Sequence, residues 1–180
     1  MLGPKLVGRN AVSLVPPTLD HLKQRAGWVV APEVGRFWGP RFGDLTDERQ
    51  EKRFKDTAES NTEIEWTIAY DDEAVGFTGI FGIDWVRRDG ESGIFIGRHD
   101  LYGRGIASEA VRLRTDFAWK ELRLHRVHNW IAHANRASRR ANEKSGYKQM
   151  GIQRRAFFRS GDWYDEWLGE AFPRTFPEQA

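Results

Sequence analysis

Tyr102-Gly103-Arg104-Gly105-Ile106-Ala107-Ser108-Glu109-Ala110 is the stretch on which the reading of this chain turns. Residues before it alternate with the period of a strand. After it, Ala110, Val111, Leu113, Phe117, Ala118 and Leu122 recur at helical spacing, so a strand feeds a glycine turn that opens an amphipathic helix. Successive N–H groups at a helix start point the same way and carry the positive end of the helix dipole. An anion approaches them closely only where side chains are absent or small, and Gly103, Gly105 and Ala107 meet that need. A P-loop would require a Gly-Lys-Ser/Thr ending, and a dinucleotide fingerprint a third glycine where Ser108 stands. On this stretch alone the plainer reading, a tight strand-to-helix turn, stays open.

Toward the N-terminus, Glu65 to Tyr70, Val75 to Ile83 and Glu91 to Arg98 read as three strands of an antiparallel meander, parted by turns at Asp71-Asp72-Glu73 and around Arg88-Asp89-Gly90. Further upstream lie a short strand, Ala11 to Val15, closed by Pro16-Pro17, and a helix capped by Thr18 or Asp20 that runs toward Trp28. A loop from Pro32 to Phe42 follows, then a helix over Thr46 to Ser60 with Phe54 and Ala58 as its apolar anchors. Toward the C-terminus, Arg126 to His133 is a strand, Asn135 to Lys144 a short helix stopped by Gly146, and Tyr147 begins another strand. A terminal hairpin pairs Phe157-Phe158 with Trp163 to Leu168 about Arg159-Ser160-Gly161-Asp162. With no internal repeat or linker, one mixed α/β (α+β) domain over residues 1–180 is expected.

The 180 residues include eight Trp and eleven Phe, enough large apolar faces for a core. No run approaches the roughly 18 apolar residues of a membrane helix, and the first residues do not resemble a signal peptide, so no membrane partner and a cytoplasmic location are expected. Zero Cys excludes disulfides, thiolate nucleophiles, Cys-ligated zinc and iron–sulfur clusters. The five His lack His-Glu-x-x-His spacing, and no metal is expected. Net charge is +2, but Arg104 to Ser160 hold 14 Lys/Arg against 4 Asp/Glu. Such a block suits a polyanionic cofactor, a solvated face or a nucleic acid, while the acidic remainder favours a cationic substrate. Nucleic acid is disfavoured, because these Arg spread over helix, strand and hairpin without a reader motif.

The central stretch resembles the signature of the GNAT superfamily of acetyl-CoA-dependent N-acetyltransferases, Gln/Arg-x-x-Gly-x-Gly/Ala, with Tyr102 departing at the first position. A second block, Leu124-His125-Arg126-Val127, Asn135-Arg136-Ala137-Ser138 and Glu143-Lys144-Ser145-Gly146-Tyr147, is similar to the branch of ribosomal-protein N-terminal (Rim-type) acetyltransferases. The resemblance implies a mixed, mostly antiparallel sheet flanked by helices and splayed between Glu91 to Arg98 and Arg126 to His133, where acetyl-CoA would lie as acetyl donor. It implies that Phe95, Ile96 and Gly97 line the pantetheine arm. Tyr102, Gly103, Arg104, Gly105, Ile106, Ala107 and Ser108 would hold the pyrophosphate, and Asn135 and Ser138 would add contacts. An Asn at that junction is equally a helix N-cap.

The reaction implied is transfer of the acetyl group to a primary amine, on a protein N-terminus or a small molecule, by direct attack in a ternary complex. An amine is mostly protonated at neutral pH, so a base near the acetyl carbon is useful. Glu91 is the first choice, with Asp84 and His133 in reserve. The Tyr that many relatives use as acid is replaced by Asn142, which leaves Ser138 as the candidate donor to the departing thiolate. Trp38, Asp84 and Trp85 are candidate acceptor-site residues, with Phe37 and Phe42 beside Trp38 in an aromatic wall; ordinary core packing is the alternative. A catalytically silent acyl-CoA-binding domain is the alternative function. A homodimer is left open.

Overall fold

In the computed structural model, which describes residues 1–38, 45–159 and 161–173, alternating apolar residues build eight strands in one sheet. They are β1 (Leu6–Val7), β2 (Val12–Val15), β3 (Ile64–Tyr70), β4 (Glu73–Asp84), β5 (Asp89–Ile96), β6 (Arg126–Ala132), β7 (Lys148–Arg159) and β8 (Asp162–Ala171). Their spatial order is β1-β2-β3-β4-β5-β6-β8-β7, antiparallel throughout except for the parallel pair β5 and β6. The expected meander is present as β3, β4 and β5. The terminal hairpin is longer than its aromatic residues suggested, because β7 starts at Lys148 and pairs with β8 almost along its length. Ser160, in its turn, lies outside the described residues.

Helices cover the sheet. α1 (Leu19–Val30) begins at Thr18, whose hydroxyl accepts from the His21 N–H while the His21 ring accepts from the Thr18 N–H. Within the stretch read as a loop, Pro32 starts a four-residue helix, α2 (Pro32–Gly35), since proline at the first helical position has its φ preset and needs no hydrogen bond from its nitrogen. α3 (Asp47–Glu59) runs between caps Thr46 and Ser60. Its buried residues are Gln50 and Thr57, whereas Ala58 is exposed and Phe54 only half-buried, so the expected apolar anchoring is replaced by polar packing. α4 (Ile106–Lys120) and α5 (Arg136–Glu143) complete the set. No helix among the described residues is long and apolar enough to cross a membrane.

Two clusters form the core. The larger joins Leu14, Ile68, Ile80 and Val127 of the sheet to Ala110, Val111 and Ala118 of α4, with Trp66 edge-on to Phe117 at 5.2 Å. The smaller joins Val29 and Val34 to Phe77 and Phe95, with Trp28 and Trp38 packed against it. Beside it, the fully buried Glu65 is held by Arg25 at 3.4 Å and by Arg53, and the Arg25 guanidinium lies 3.7 Å over the Phe77 ring.

Pairing of β5 with β6 covers only Asp89↔Arg126, Gly90↔Val127 and Glu91↔His128, after which the strands part. A buried polar network sits at the parting. Ser92 Oγ donates to the His128 carbonyl at 3.3 Å and lies 3.1 Å from the Tyr147 hydroxyl. Arg114, fully buried on α4, donates to Thr78 Oγ1 at 2.8 Å, to the Gly93 carbonyl at 3.0 Å and to the Tyr147 hydroxyl at 3.2 Å. These hydroxyls and carbonyls satisfy one another in the space between the strands, where an unpaired group would cost about 1–3 kcal/mol.

Neutralising one side of the Glu65 cluster leaves a buried guanidinium without its counter-charge. Glu65→Gln should therefore destabilise the fold by about 3 kcal/mol, read as a lower urea midpoint at unchanged slope. A change under about 1 kcal/mol would show that Arg25 and Arg53 do not depend on that charge.

Candidate functional site

Where β5 and β6 separate, a cavity of about 1150 Å³ opens between α1 to α3 on one side and the starts of α4 and α5 on the other. Its wall follows β5 from Glu91 to Ile96 and the turn from Leu101 to Ser108, then β6 from Asn129 to Ala132.

The glycine turn has the geometry of an anion site. Gly103 has φ +84° and Gly105 φ +80°, conformations that cost residues with a Cβ about 1–2 kcal/mol. A Cβ built on either would meet no atom within 4 Å, so the space before the turn is open. Gly105 is the N-cap of α4 and no side chain caps it. The N–H groups of Ile106, Ala107 and Ser108 lie in the first turn, where an α-helix supplies them no partner. Arg104, Arg140 and Lys144 line the same cavity, adding positive charge around these amides. Tyr102 donates from its hydroxyl to the Ile96 carbonyl at 3.1 Å, tying the turn to the end of β5, and burial raises its pKa. The site therefore fits the pyrophosphate of a coenzyme A donor: free N–H groups, room at both glycines and three cations.

Glu91 stands at the fork, as the last β5 residue paired to β6. Its side chain opens into the cavity, and desolvation by the surrounding walls raises its pKa above the ordinary Glu value. Glu166 of β8 faces the same space, its pKa raised by burial first and by the charge of Glu91 second. The charge of each carboxylate disfavours ionisation of the other, in the same direction as their burial.

Asn135 and Ser138 also line the cavity. Asn135 Oδ1 accepts from the Ser138 N–H at 3.2 Å, the N-cap bond of α5, and its amide nitrogen is spared by that bond. Asn142 is almost fully buried, accepting from Asn129 Nδ2 at 2.8 Å and donating to the Ser138 carbonyl at 2.9 Å. It fastens α5 to β6, a structural task at the position where the family resemblance implied a Tyr.

Several expected site residues lie elsewhere. Gly97 is not on the cavity wall: its N–H binds the Val75 carbonyl at 2.8 Å and its Cα abuts the Trp28 ring. Asp84 accepts from the N–H groups of Val86 and Arg87, both at 2.9 Å, and so shapes the β4–β5 turn outside the cavity. Trp85 donates to the Asn61 carbonyl at 2.8 Å and is likewise outside, as is His133. Of the aromatic wall, Phe37 and Trp38 line the cavity, the Trp38 ring lying 5.3 Å from Phe95 and tilted by 50°, while Phe42 lies outside the described residues. Sequence reading passed over Glu166, Arg140, Lys144 and Trp130, all on the wall. For the two cations the signal was the basic block itself; for Glu166 and Trp130 only strand pairing across β6 and β8 places them.

Comparison with known proteins agrees with this geometry. The profile of the Acetyltransferase (GNAT) domain matches residues 12–148. The Bacillus subtilis protein named probable N-acetyltransferase YjcK is 35% identical over 130 residues, covering 67% of this chain and 69% of that protein. Among solved structures, Mycobacterium smegmatis RimJ in complex with CoA-disulfide superposes with a TM-score of 0.80 at 21% identity, over 98% of this chain and 89% of that one. The spermidine N-acetyltransferase of Vibrio cholerae in complex with CoA and spermine gives 0.81 at 17% identity, over 90% and 95%. At such identities the two structures speak for the fold, and the profile and the curated relative for the family. The chain belongs to the GNAT family of acetyltransferases, acyl-transferring enzymes whose donor is acetyl-CoA.

Proposed function

We propose that this chain is one acetyltransferase domain over residues 1–180 that moves the acetyl group of acetyl-CoA directly to a primary amine in a ternary complex. The observation that carries the reading is a single cavity joining the uncapped start of α4 to the fork at Glu91. The pyrophosphate is held by Gly103 to Ser108 with Arg104 nearby, and the pantetheine arm lies along Phe95 and Ile96. Asn135 offers its amide nitrogen to the same arm. The acetyl carbonyl is thereby brought to the fork.

Glu91 takes a proton from the incoming ammonium, directly or through water, and the free amine attacks the thioester carbon. Burial raises the Glu91 pKa, which makes it a stronger base than an ordinary exposed carboxylate. Ser138, on the cavity wall, donates toward the departing sulfur. A thiol's own acidity, with pKa about 8.5, keeps that assistance small. The acceptor is a small-molecule or peptide amine, and Trp38 with Phe37 forms one wall of its cleft. A cytoplasmic setting belongs to the same proposal.

An acetyl-CoA turnover screen over peptide and small-molecule amines, with mass analysis of products, tests the reading; no acetylated product from any amine would defeat it. With one accepted amine, Glu91→Gln should lower turnover by about 10²-fold at neutral pH with acetyl-CoA affinity unchanged. The wild-type rate should fall as pH drops through the raised Glu91 pKa, above the usual ~4.3 of Glu, and that acid limb should vanish in the variant. An identical pH profile in both would remove Glu91 from the role. For the donor site, Gly105→Ala places a methyl in the cradle at positive φ, so we expect about 1–2 kcal/mol less stability and roughly tenfold weaker acetyl-CoA binding by calorimetry. Unchanged affinity in the folded variant would exclude the turn as the pyrophosphate site.

A further inference from the structure

Arg114 is a full positive charge in the core with no carboxylate to answer it. Its side chain is entirely buried, and its hydrogen-bond partners are neutral: the Thr78 hydroxyl, the Gly93 carbonyl and the Tyr147 hydroxyl. Among the described residues its Nε has no partner. Among the described residues no Asp or Glu forms an ion pair with it, whereas the other deeply buried charge, Glu65, is met by two arginines. Because a guanidinium does not give up its proton in proteins, this charge persists. Buried charges are normally paired, and among the described residues this one meets only neutral acceptors, which leaves room for a negative partner.

The position of Arg114 says where that partner arises. Gly93, whose carbonyl it holds at 3.0 Å, lines the cavity two residues beyond Glu91, and Arg114 lies behind this stretch of wall without touching the cavity. Ser92 and Tyr147 link the same network to the His128 carbonyl, across the fork. We propose that Arg114 is an electrostatic positioning residue for acetyl transfer, its buried charge stabilising the negative charge that develops on the thioester at the fork and on the sulfur that leaves it.

This rests on the acetyltransferase reading above. In the step concerned, the amine lone pair forms the C–N bond and the carbonyl π pair moves to oxygen. On collapse the C=O bond re-forms, the C–S bond breaks, and its electron pair leaves on sulfur as thiolate; the ammonium's first proton has passed through Glu91 to solvent, the second follows from the new C–N bond's nitrogen to Glu91 or to solvent, and the thiolate is later protonated from solvent, with Ser138 as relay. Negative charge thus appears first on oxygen and then on sulfur beside a wall that carries a fixed cation. Behind a low-dielectric wall such a charge acts at several ångströms without contact, and needs no rearrangement at the moment of reaction. Thr78, Tyr147 and the Gly93 carbonyl fix the guanidinium, which is why hydrogen-bonding neutral groups rather than a carboxylate surround it: a carboxylate would cancel the field.

Two measurements on the full chain decide the matter. The first is ultraviolet titration of the thiolate of bound CoA in the wild-type protein and in Arg114→Gln, which keeps a hydrogen-bonding side chain but no charge. We expect the bound thiol pKa to lie about one unit or more below that of free CoA in the wild type, and to return toward the free value in Arg114→Gln. A bound thiol that titrates like free CoA in the wild-type protein overturns the proposal, with no variant required. The second is kinetics with an accepted amine, where Arg114→Gln should lower kcat by roughly tenfold or more while the acetyl-CoA dissociation constant moves by less than about threefold. Loss of acetyl-CoA affinity with kcat preserved would mean that Arg114 only shapes the fork. If no amine is acetylated at all, the acetyltransferase reading fails, and the thiol titration still decides whether the buried charge acts on CoA.

Discussion

The ladder between β5 and β6 ends at Glu91 and His128, where Ser92, Tyr147 and Arg114 fill the widening gap with hydroxyls and a guanidinium. The functional arrangement depends on that ending. Continued pairing would bring β6 against the stretch of β5 that now faces the cavity and would close the space in which Glu91 stands. Because β6 stays paired with β8 along Val127 to Ala132 while β5 stays paired with β4, the separation costs the sheet no integrity on either side. The fork and the start of α4 then belong to one rigid surface, since α4 packs into the core through Ala110, Val111 and Ala118 directly after its free N–H groups.

Charge is distributed to match. The basic block that the sequence places between Arg104 and Ser160 divides by task once folded. Arg104, Arg140 and Lys144 line the cavity near the start of α4, Arg114 is buried at the fork, and Arg112 is paired with Glu109 and Asp116 at the surface of α4. On the side of α1 to α3 the cavity carries Arg25, Arg49, Lys52 and Arg53 together with Glu33, Asp56 and Glu63, a wall of mixed charge.

What the sequence made legible follows from local rules. The glycine turn, the amphipathic α4, the meander of β3 to β5 and the Asn135 cap are set by neighbours within a few residues, and each is found where its spacing puts it. Residues whose meaning depends on distant strands were harder. Asp84 and Trp85 look like cleft residues at a strand end, but the irregular register between Phe81 and Asp84 turns that end into a hairpin corner, where Asp84 caps backbone amides. Gly97 extends an alternating strand, yet its neighbour Trp28 comes from α1, far off in sequence. Glu166 and Arg114 carry no local signal at all; one becomes a cavity residue through β8 pairing, the other a buried cation on a helix whose pattern marked its apolar neighbours instead.

The central claim, that the fork and the start of α4 together receive acetyl-CoA, is tested most directly by amide chemical shifts recorded during a CoA titration. Hydrogen bonds from N–H groups to phosphate move amide resonances strongly, and those N–H groups have no partner within the helix. The account predicts the largest perturbations at Gly105, Ile106, Ala107 and Ser108, accompanied by the β5 residues from Gly93 to Ile96. Saturating CoA that left these amides unmoved, while shifting residues of the smaller cavity between Val29 and Tyr164, would contradict it.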